Sequence, residues 1–242
     1  MKLFSATCDE YYDSPMREFP LPLRALYSIV LCFLFCFTKI MWRWKVERPE
    51  LLYPSADCPG RVIICNHTSM AEVPAIVSHI WASGRRVRPI FKSEFNSNAI
   101  VSWAFSRAGG IPVDRGTADM KSLRRAQHAL QRGEDVLIFP EGTRVRSDSQ
   151  EVEVHGGFAL IAAMAKAEIA PIAVCGFRDV TPEGKRLMRP VKCWIRAGMP
   201  VSQDDAPADL KRRDRGKWLE GESVRRMFAL RDDLRSEHPG RR

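Results

Sequence analysis

Two short runs in this chain hold residues that could do chemistry. Asn66-His67-Thr68-Ser69-Met70-Ala71-Glu72 offers an imidazole with a carboxylate five positions on, and Phe139-Pro140-Glu141-Gly142-Thr143-Arg144 offers a carboxylate, a glycine-permitted turn and a guanidinium. An imidazole with an ordinary pKa of about 6.5 is largely neutral at cytoplasmic pH and can act as a base. A guanidinium grips phosphate oxygens through a two-pronged fork. A base beside an anion clamp suits a reaction at a hydroxyl of a phosphate-bearing molecule.

Each run follows a short apolar segment that reads as a buried strand, Val62-Ile63-Ile64-Cys65 before the first and Val136-Leu137-Ile138 before the second. In open α/β sheets, ligand sites gather at the carboxyl ends of the strands. The pattern predicts strands near 61–65, 87–91, 136–139, 171–175 and 191–196, and helices near 73–82, 97–107, 118–132, 157–167 and 215–235. In the 118–132 segment, Met120, Leu123 and Leu130 share a face and Gly133 follows as a stop. Strands alternating with helices of this length indicate an α/β fold, a mainly parallel sheet flanked by helices.

Residues five apart lie about 140° apart around a regular helix, so His67 and Glu72 cannot share a face of one. Pro74 also resists burial within a helix that began much earlier. His67 therefore belongs in the turn after the strand, and Glu72 near the start of the next helix. The plainer alternative is a capping box, Ser69-x-x-Glu72, in which the side chains only satisfy backbone amides.

The two blocks, in this order and separation, resemble those of the phospholipid acyltransferases typified by 1-acylglycerol-3-phosphate acyltransferase, marked by N-H-x-S-x-x-D and F-P-E-G-T-R. The second block matches at all six positions; the first departs at Glu72, where the family has aspartate. Gly109-Gly110-Ile111-Pro112-Val113-Asp114-Arg115 is similar to the family's glycine-proline-arginine stretch, and Ile169-Ala170-Pro171-Ile172-Ala173-Val174 to its proline-bearing strand. The family's basic residue before a helix-opening glycine is replaced here by Val154-His155-Gly156-Gly157. The resemblance covers roughly residues 25–200.

What it implies is transfer of an acyl group from a thioester, acyl-CoA or acyl carrier protein, to a lysophospholipid hydroxyl, with lysophosphatidate giving phosphatidate as the leading reaction. His67 is then the base and Glu72 the acid that orients it and stabilises the imidazolium, as in a hydrolase triad. The acceptor attacks directly, with no acyl-enzyme, and Ser69 has a supporting hydrogen-bonding role. Arg144 is assigned to the acceptor's phosphate and Arg115 is a second candidate, against a plain loop ion pair with Asp114 or Asp119. Gly142 lets the backbone approach, and the Gly142 and Thr143 amides are candidate donors. For Glu141 two roles stay open, binding a glycerol hydroxyl or orienting Arg144. The glutamate at position 72 keeps the charge, so activity is expected to survive; one extra methylene moves a carboxylate by about an ångström, and a different acceptor is equally compatible. His79 and His155 read as structural. No metal motif appears, and no cofactor is expected beyond the donor.

The chain has 242 residues, 45% of them hydrophobic, and a formal charge of +9. That is enough for one domain: residues 49–235 behind an N-terminal segment, 1–48, with a loose tail at 236–242. The basic clusters read mostly as solvated faces, with 85–92 and 121–125 available to an anionic donor. Only Phe91 and Trp218 lie near them as stacking platforms, which argues against nucleic acid. The seven cysteines show no C-x-x-C spacing, and Cys32, Cys36, Cys65, Cys175 and Cys193 sit in apolar runs as small hydrophobes. This fits a reducing compartment.

Residues 25–38 carry no charge. These fourteen residues fall short of the roughly 20 needed to cross a bilayer, but Trp42, Trp44 and the basic flank Arg43, Lys45 and Arg48 suit a membrane interface. The acidic residues Asp9, Glu10, Asp13 and Glu18 before it, and the lack of a small-x-small site after it, argue against a signal peptide. The expected placement is membrane-associated with the catalytic domain on the cytoplasmic face. Whether the segment spans or lies flat is open, and a core helix is the alternative. Two rival functions remain, an acyltransferase for another lysolipid such as an amino-acid lipid, and a non-catalytic peripheral lipid-binding protein.

Overall fold

The two apolar runs that precede the motifs are neighbouring parallel strands in the middle of a seven-stranded sheet. The computed structural model describes residues 6–52, 59–114, 119–147, 150, 153–182, 184–185, 187–211 and 213–239. In chain order the strands are β1 (Lys45–Glu47), β2 (Val62–Cys65), β3 (Val87–Lys92), β4 (Ile111–Val113), β5 (Asp135–Ile138), β6 (Ile169–Cys175) and β7 (Trp194–Ala197). The helices are α1 (Cys8–Asp13), α2 (Leu21–Trp42), α3 (Pro49–Leu52), α4 (Glu72–Ala82), α5 (Ala99–Arg107), α6 (Met120–Gln131), α7 (Gly157–Ala165) and α8 (Arg215–Glu237). The sheet order is β1-β7-β6-β2-β5-β3-β4, parallel throughout except for β6 against β7. This is the mainly parallel α/β architecture that the sequence pattern indicates.

The central strands are apolar because both faces are covered. Ile63, Leu137, Ala170 and Ile172 pack in one core with residues of α2 and α4, while Val62, Ile64, Val136 and Ile169 pack in the other with residues of α6, α7 and α8. Each such buried aliphatic side chain contributes about 1.5–3 kcal/mol relative to exposure. In α6 the buried side is Ser122, Arg125, Ala126, Ala129 and Leu130, and Met120 is exposed at the helix start rather than sharing the core face.

Three features depart from the sequence reading. Strands β1 and β4, each of three residues, are too short for a period to show. With β1 on the sheet edge, the N-terminal segment supplies part of the sheet. Helix α8 runs to Glu237, two residues into the stretch expected to be loose tail, and His238 stacks on Trp194 at 4.0 Å between centroids. The reason is Arg196, which pairs with both Glu47 and Glu237 and so ties β1 and the end of α8 to β7.

The uncharged run 25–38 lies inside the 22-residue α2, which is long and apolar enough to cross a membrane by length and composition. One side packs Leu31 and Trp42, with Tyr27, Leu34 and Phe35, against the α4 side of the core. The other leaves Leu26, Ile29, Val30, Phe33 and Ile40 exposed. Cys32 and Cys36 are exposed on this helix too, whereas Cys65 and Cys193 are buried as small hydrophobes.

Several basic residues expected to face solvent or an anionic donor are buried in ion pairs. Arg85 pairs with Asp135 and Arg88 with Glu134, while Arg125 takes Asp9 and Asp13. Arg88 also donates to the carbonyls of Tyr12 and Ser14, so Arg88 on β3 and Arg125 on α6 dock the segment before α2 onto the fold. They are engaged in holding the fold and do not offer free charge to a donor.

Candidate active site

Because β2 and β5 run parallel in register, Ile64 opposite Ile138, the turns after them emerge side by side. Asn66 fixes the first turn to the next strand: fully buried, it donates to Val174 O at 3.2 Å and accepts from Val174 N at 2.8 Å. Sequence reasoning assigned Asn66 no role. A polar residue directly after a buried apolar strand was the available signal.

His67 lies in the turn and Glu72 is the first residue of α4, so the chain folds back as the spacing requires. Nδ1 of His67 is 2.6 Å from Oε1 of Glu72. That carboxylate, fully buried, also accepts from Thr68 N at 2.9 Å, Thr68 Oγ1 at 2.8 Å and Ser69 N at 3.1 Å. Only half of the capping box forms: Glu72 accepts the Ser69 N–H, but the Ser69 hydroxyl does not accept from Glu72 N, and the same carboxylate holds the histidine. Ser69 supports the turn, its hydroxyl accepting from Ala71 N at 3.2 Å. Pro74 falls in the first turn of α4, where its missing N–H costs nothing.

The second motif closes over the first. The Phe139 ring lies 4.3 Å from the His67 ring, and Val145 N donates to His67 O at 2.8 Å. Glu141 is 3% exposed, and its Oε2 accepts the backbone N–H of His67 at 2.6 Å. This is a third role beside the two left open for it: Glu141 holds the main chain of His67. Burial pushes its carboxyl above the usual range and the neighbouring Glu72 charge adds to this, while the His67 N–H and the Arg231 charge oppose it.

Gly142 adopts φ 62°, a left-handed conformation that glycine takes without strain. The turn this allows engages both amides proposed as ligand donors: Gly142 N donates to Phe139 O at 2.9 Å and Thr143 N to Glu141 O at 2.6 Å. The motif therefore presents side chains rather than those two N–H groups. Arg144 is exposed and has no ion pair among the described residues. Arg115 lies outside the described residues. Asp114 and Asp119, the alternative partners considered for it, are joined to each other through Asp114 N and the Asp119 carboxylate at 3.1 Å.

The remaining histidines named from the sequence stand apart from this centre. His79 packs edge-on to Trp44 at 5.2 Å, and burial with the nearby Lys39 charge lowers its pKa to about 4. His155 is exposed, its backbone N–H closing the loop onto Pro140 O at 2.9 Å.

The profile of the Acyltransferase family matches residues 43–175, more than half of the chain and both motifs. The chain belongs to that family. It is 30% identical to a 1-acyl-sn-glycerol-3-phosphate acyltransferase of Bacillus subtilis over 146 residues, 60% of this chain and 69% of that protein. A chloroplastic 1-acyl-sn-glycerol-3-phosphate acyltransferase of Arabidopsis thaliana is 29% identical over 59% of this chain but 39% of its own length. A lyso-ornithine lipid O-acyltransferase of Pseudomonas aeruginosa is 27% identical over 59% of this chain and 56% of that protein. The match thus spans from about two fifths to about two thirds of these relatives. In fold, the chain is similar to the crystal structure of the 1-acyl-sn-glycerophosphate acyltransferase PlsC from Thermotoga maritima, with a TM-score of 0.61, 20% identity and coverage of 88% and 84% of the two chains.

Proposed function

We propose that this acyltransferase moves a fatty acyl group from an acyl thioester to the free hydroxyl of a lysophospholipid, with 1-acylglycerol-3-phosphate giving phosphatidate as the first reaction to test. The observation that carries this is the 2.6 Å contact between His67 Nδ1 and Glu72, set against the Phe139 turn that ends in an exposed Arg144. With Nδ1 held by the carboxylate, Nε2 is the atom that takes the proton of the acceptor hydroxyl. The hydroxyl oxygen attacks the thioester carbonyl carbon, the tetrahedral intermediate collapses with cleavage of the C–S bond, and the departing thiolate recovers the proton from the imidazolium. Arg144 holds the acceptor's phosphate through its fork of donors, and Arg115 is retained as the second anion contact.

The exposed apolar side of α2 supports attachment to a membrane, and its downstream basic flank favours the cytoplasmic face. The donor is acyl-CoA or acyl carrier protein. The similarity to a lyso-ornithine lipid O-acyltransferase, with the altered residues around His155, supports an amino-acid lysolipid as the alternative acceptor.

The test is acyl transfer by the membrane-bound protein, offered both donors with lysophosphatidate or lyso-ornithine lipid, beside His67→Ala and Arg144→Ala. We expect product from the unaltered protein and a loss of about 10²–10⁴-fold in His67→Ala, the usual worth of a positioned base. Folded protein that gives no product with any of these pairs would sink the reading and favour a lipid-binding role.

A further inference from the structure

Arg107, at the end of α5, is only 7% exposed and faces no carboxylate among the described residues. In this it differs from the buried Arg85, Arg88, Arg125 and Arg196, each of which meets at least one carboxylate. Its Nη2 donates to Ala6 O at 3.0 Å, and its Nη1 to Ser106 Oγ at 2.8 Å and to Cys8 Sγ at 3.5 Å. The guanidinium lies 4.2 Å from the Tyr11 ring centroid and 5.1 Å from that of Trp103, and its Nε is buried without a hydrogen-bond partner. A buried charge needs an opposite charge or full hydrogen bonding to be tolerated. Of the groups that Arg107 touches, the Cys8 thiol is the most acidic, and so the one most readily made an anion.

The sulfur is built into this pocket and still reachable. Ser102 Oγ donates to it at 3.5 Å, and Cys8 is half-buried at the first position of α1. The other charged groups about it are engaged. Asp9 is held by Arg125 and Lys121, Glu10 closes a capping box with Thr7, and the Tyr12 hydroxyl donates to Asn96.

We propose that Cys8 stands as a thiolate countering Arg107 and is a modification site for small peroxide oxidants. Burial pushes the thiol up, but the Ser102 and Ser106 hydroxyls and the Arg107 guanidinium outweigh it and hold Cys8 below the ordinary thiol range. In the reaction the thiolate sulfur attacks one oxygen of hydrogen peroxide and the O–O bond breaks. Cys8 becomes a sulfenic acid, oxidised by two electrons, and the other oxygen leaves as hydroxide. The product is uncharged at the sulfur, so Arg107 loses its counter-charge. The contact between α1 and α5 that docks the N-terminal arm then weakens, whether or not the acyltransfer reading holds.

The experiment treats the purified full chain with hydrogen peroxide and dimedone and follows the Cys8 adduct by peptide mass spectrometry between about pH 6 and pH 9, with glutathione in the same tube as an ordinary thiol. We expect Cys8 to label severalfold faster than glutathione near pH 6.5 and to reach its plateau at lower pH. Arg107→Gln should move that plateau up to the glutathione value. Ser102→Ala, which leaves the buried cation in place, should move it the same way by less and serves if Arg107→Gln does not fold. A plateau coincident with that of glutathione, one unmoved in the folded variants, or no labelling even near pH 9 would overturn the proposal.

Discussion

The carboxylate of Glu141 accepts the backbone N–H of His67 at 2.6 Å. One motif therefore supplies the imidazole and the other holds its residue by the main chain. The spacing of two motifs about 70 residues apart is then a requirement for one rigid turn, set by β2 and β5 lying side by side. Glu141→Ala leaves this amide without its acceptor, which costs about 1–3 kcal/mol of stability. It should lower kcat about ten- to a hundredfold, with a smaller change in acceptor KM. Denaturant melts and initial rates on the same preparation check both. A variant that lost only acceptor affinity would return Glu141 to substrate binding.

Glu141 also makes stability depend on pH, and the sign follows from its environment. Burial raises its folded pKa above the ordinary 4.5. Between these two values the folded chain holds a proton that the unfolded chain has released, so stability falls as pH rises through this window. Its contribution is fully present below pH 4.5 and lost above the raised folded value. Glu141→Gln keeps an acceptor for the His67 amide and removes this titration. Melting temperatures measured across that window should show a shallower decline for Gln than for the unaltered protein; parallel curves would refute the assignment.

Glu72 takes four donors, and its length is suited to them: His67 Nδ1 and Thr68 N on one oxygen, Thr68 Oγ1 and Ser69 N on the other. Aspartate is the residue of the resembling family, yet here Glu72→Asp withdraws the carboxylate by about an ångström. We expect it to lose activity by roughly tenfold or more rather than to gain, and Glu72→Gln to lose at least a hundredfold because an amide cannot accept on both sides. Rates for the two variants at matched folded fraction decide this. An Asp variant faster than the unaltered protein would mean that the network is not what holds His67.

Much of this site was legible because strands buried on both faces must be apolar throughout, which exposes the polar residues that end them. Ile64-Cys65 before Asn66 and Leu137-Ile138 before Phe139 mark the strand ends in this way. Helix angles and Pro74 placed His67 in the turn and Glu72 at the helix start, while their pairing was what the family resemblance implied. What escaped was contact between distant residues: Glu141 on the His67 amide, Asn66 on Val174, and the carboxylates that bury Arg85, Arg88 and Arg125. A basic cluster in sequence looks the same whether its partners are water, a ligand or acids a hundred residues away. β1 and β4 escaped because three residues at a sheet edge carry no period.

Arg144 is exposed and unpaired among the described residues, so its removal should leave the fold intact. Surface changes of this kind alter stability by less than about 0.5 kcal/mol. Arg144→Ala should raise the KM for a phosphate-bearing lysolipid about tenfold or more with a smaller effect on kcat, the signature of lost binding in ground and transition states alike. Arg144→Lys should recover part of it, since a lysine keeps the charge without the fork. If KM stays put and kcat falls, Arg144 serves the reacting centre instead of the phosphate.

Ile29 and Phe33 are 66% and 65% exposed on α2, one helical turn apart, on the side away from α4. If that side lies in lipid, the pair buries apolar surface worth about 1.5–3 kcal/mol per side chain there. Ile29→Asp with Phe33→Asp should then weaken binding to phospholipid vesicles by a hundredfold or more. The core side of α2 is untouched, so the melting temperature should hold. Turnover of a short-chain, water-soluble lysolipid should stay within about twofold, because the dyad lies on other elements. Vesicle flotation and the soluble assay, run on one preparation, separate the cases. A double variant still bound to vesicles would move the attachment off this face of α2, and one that lost the soluble activity as well would show that the face serves the fold.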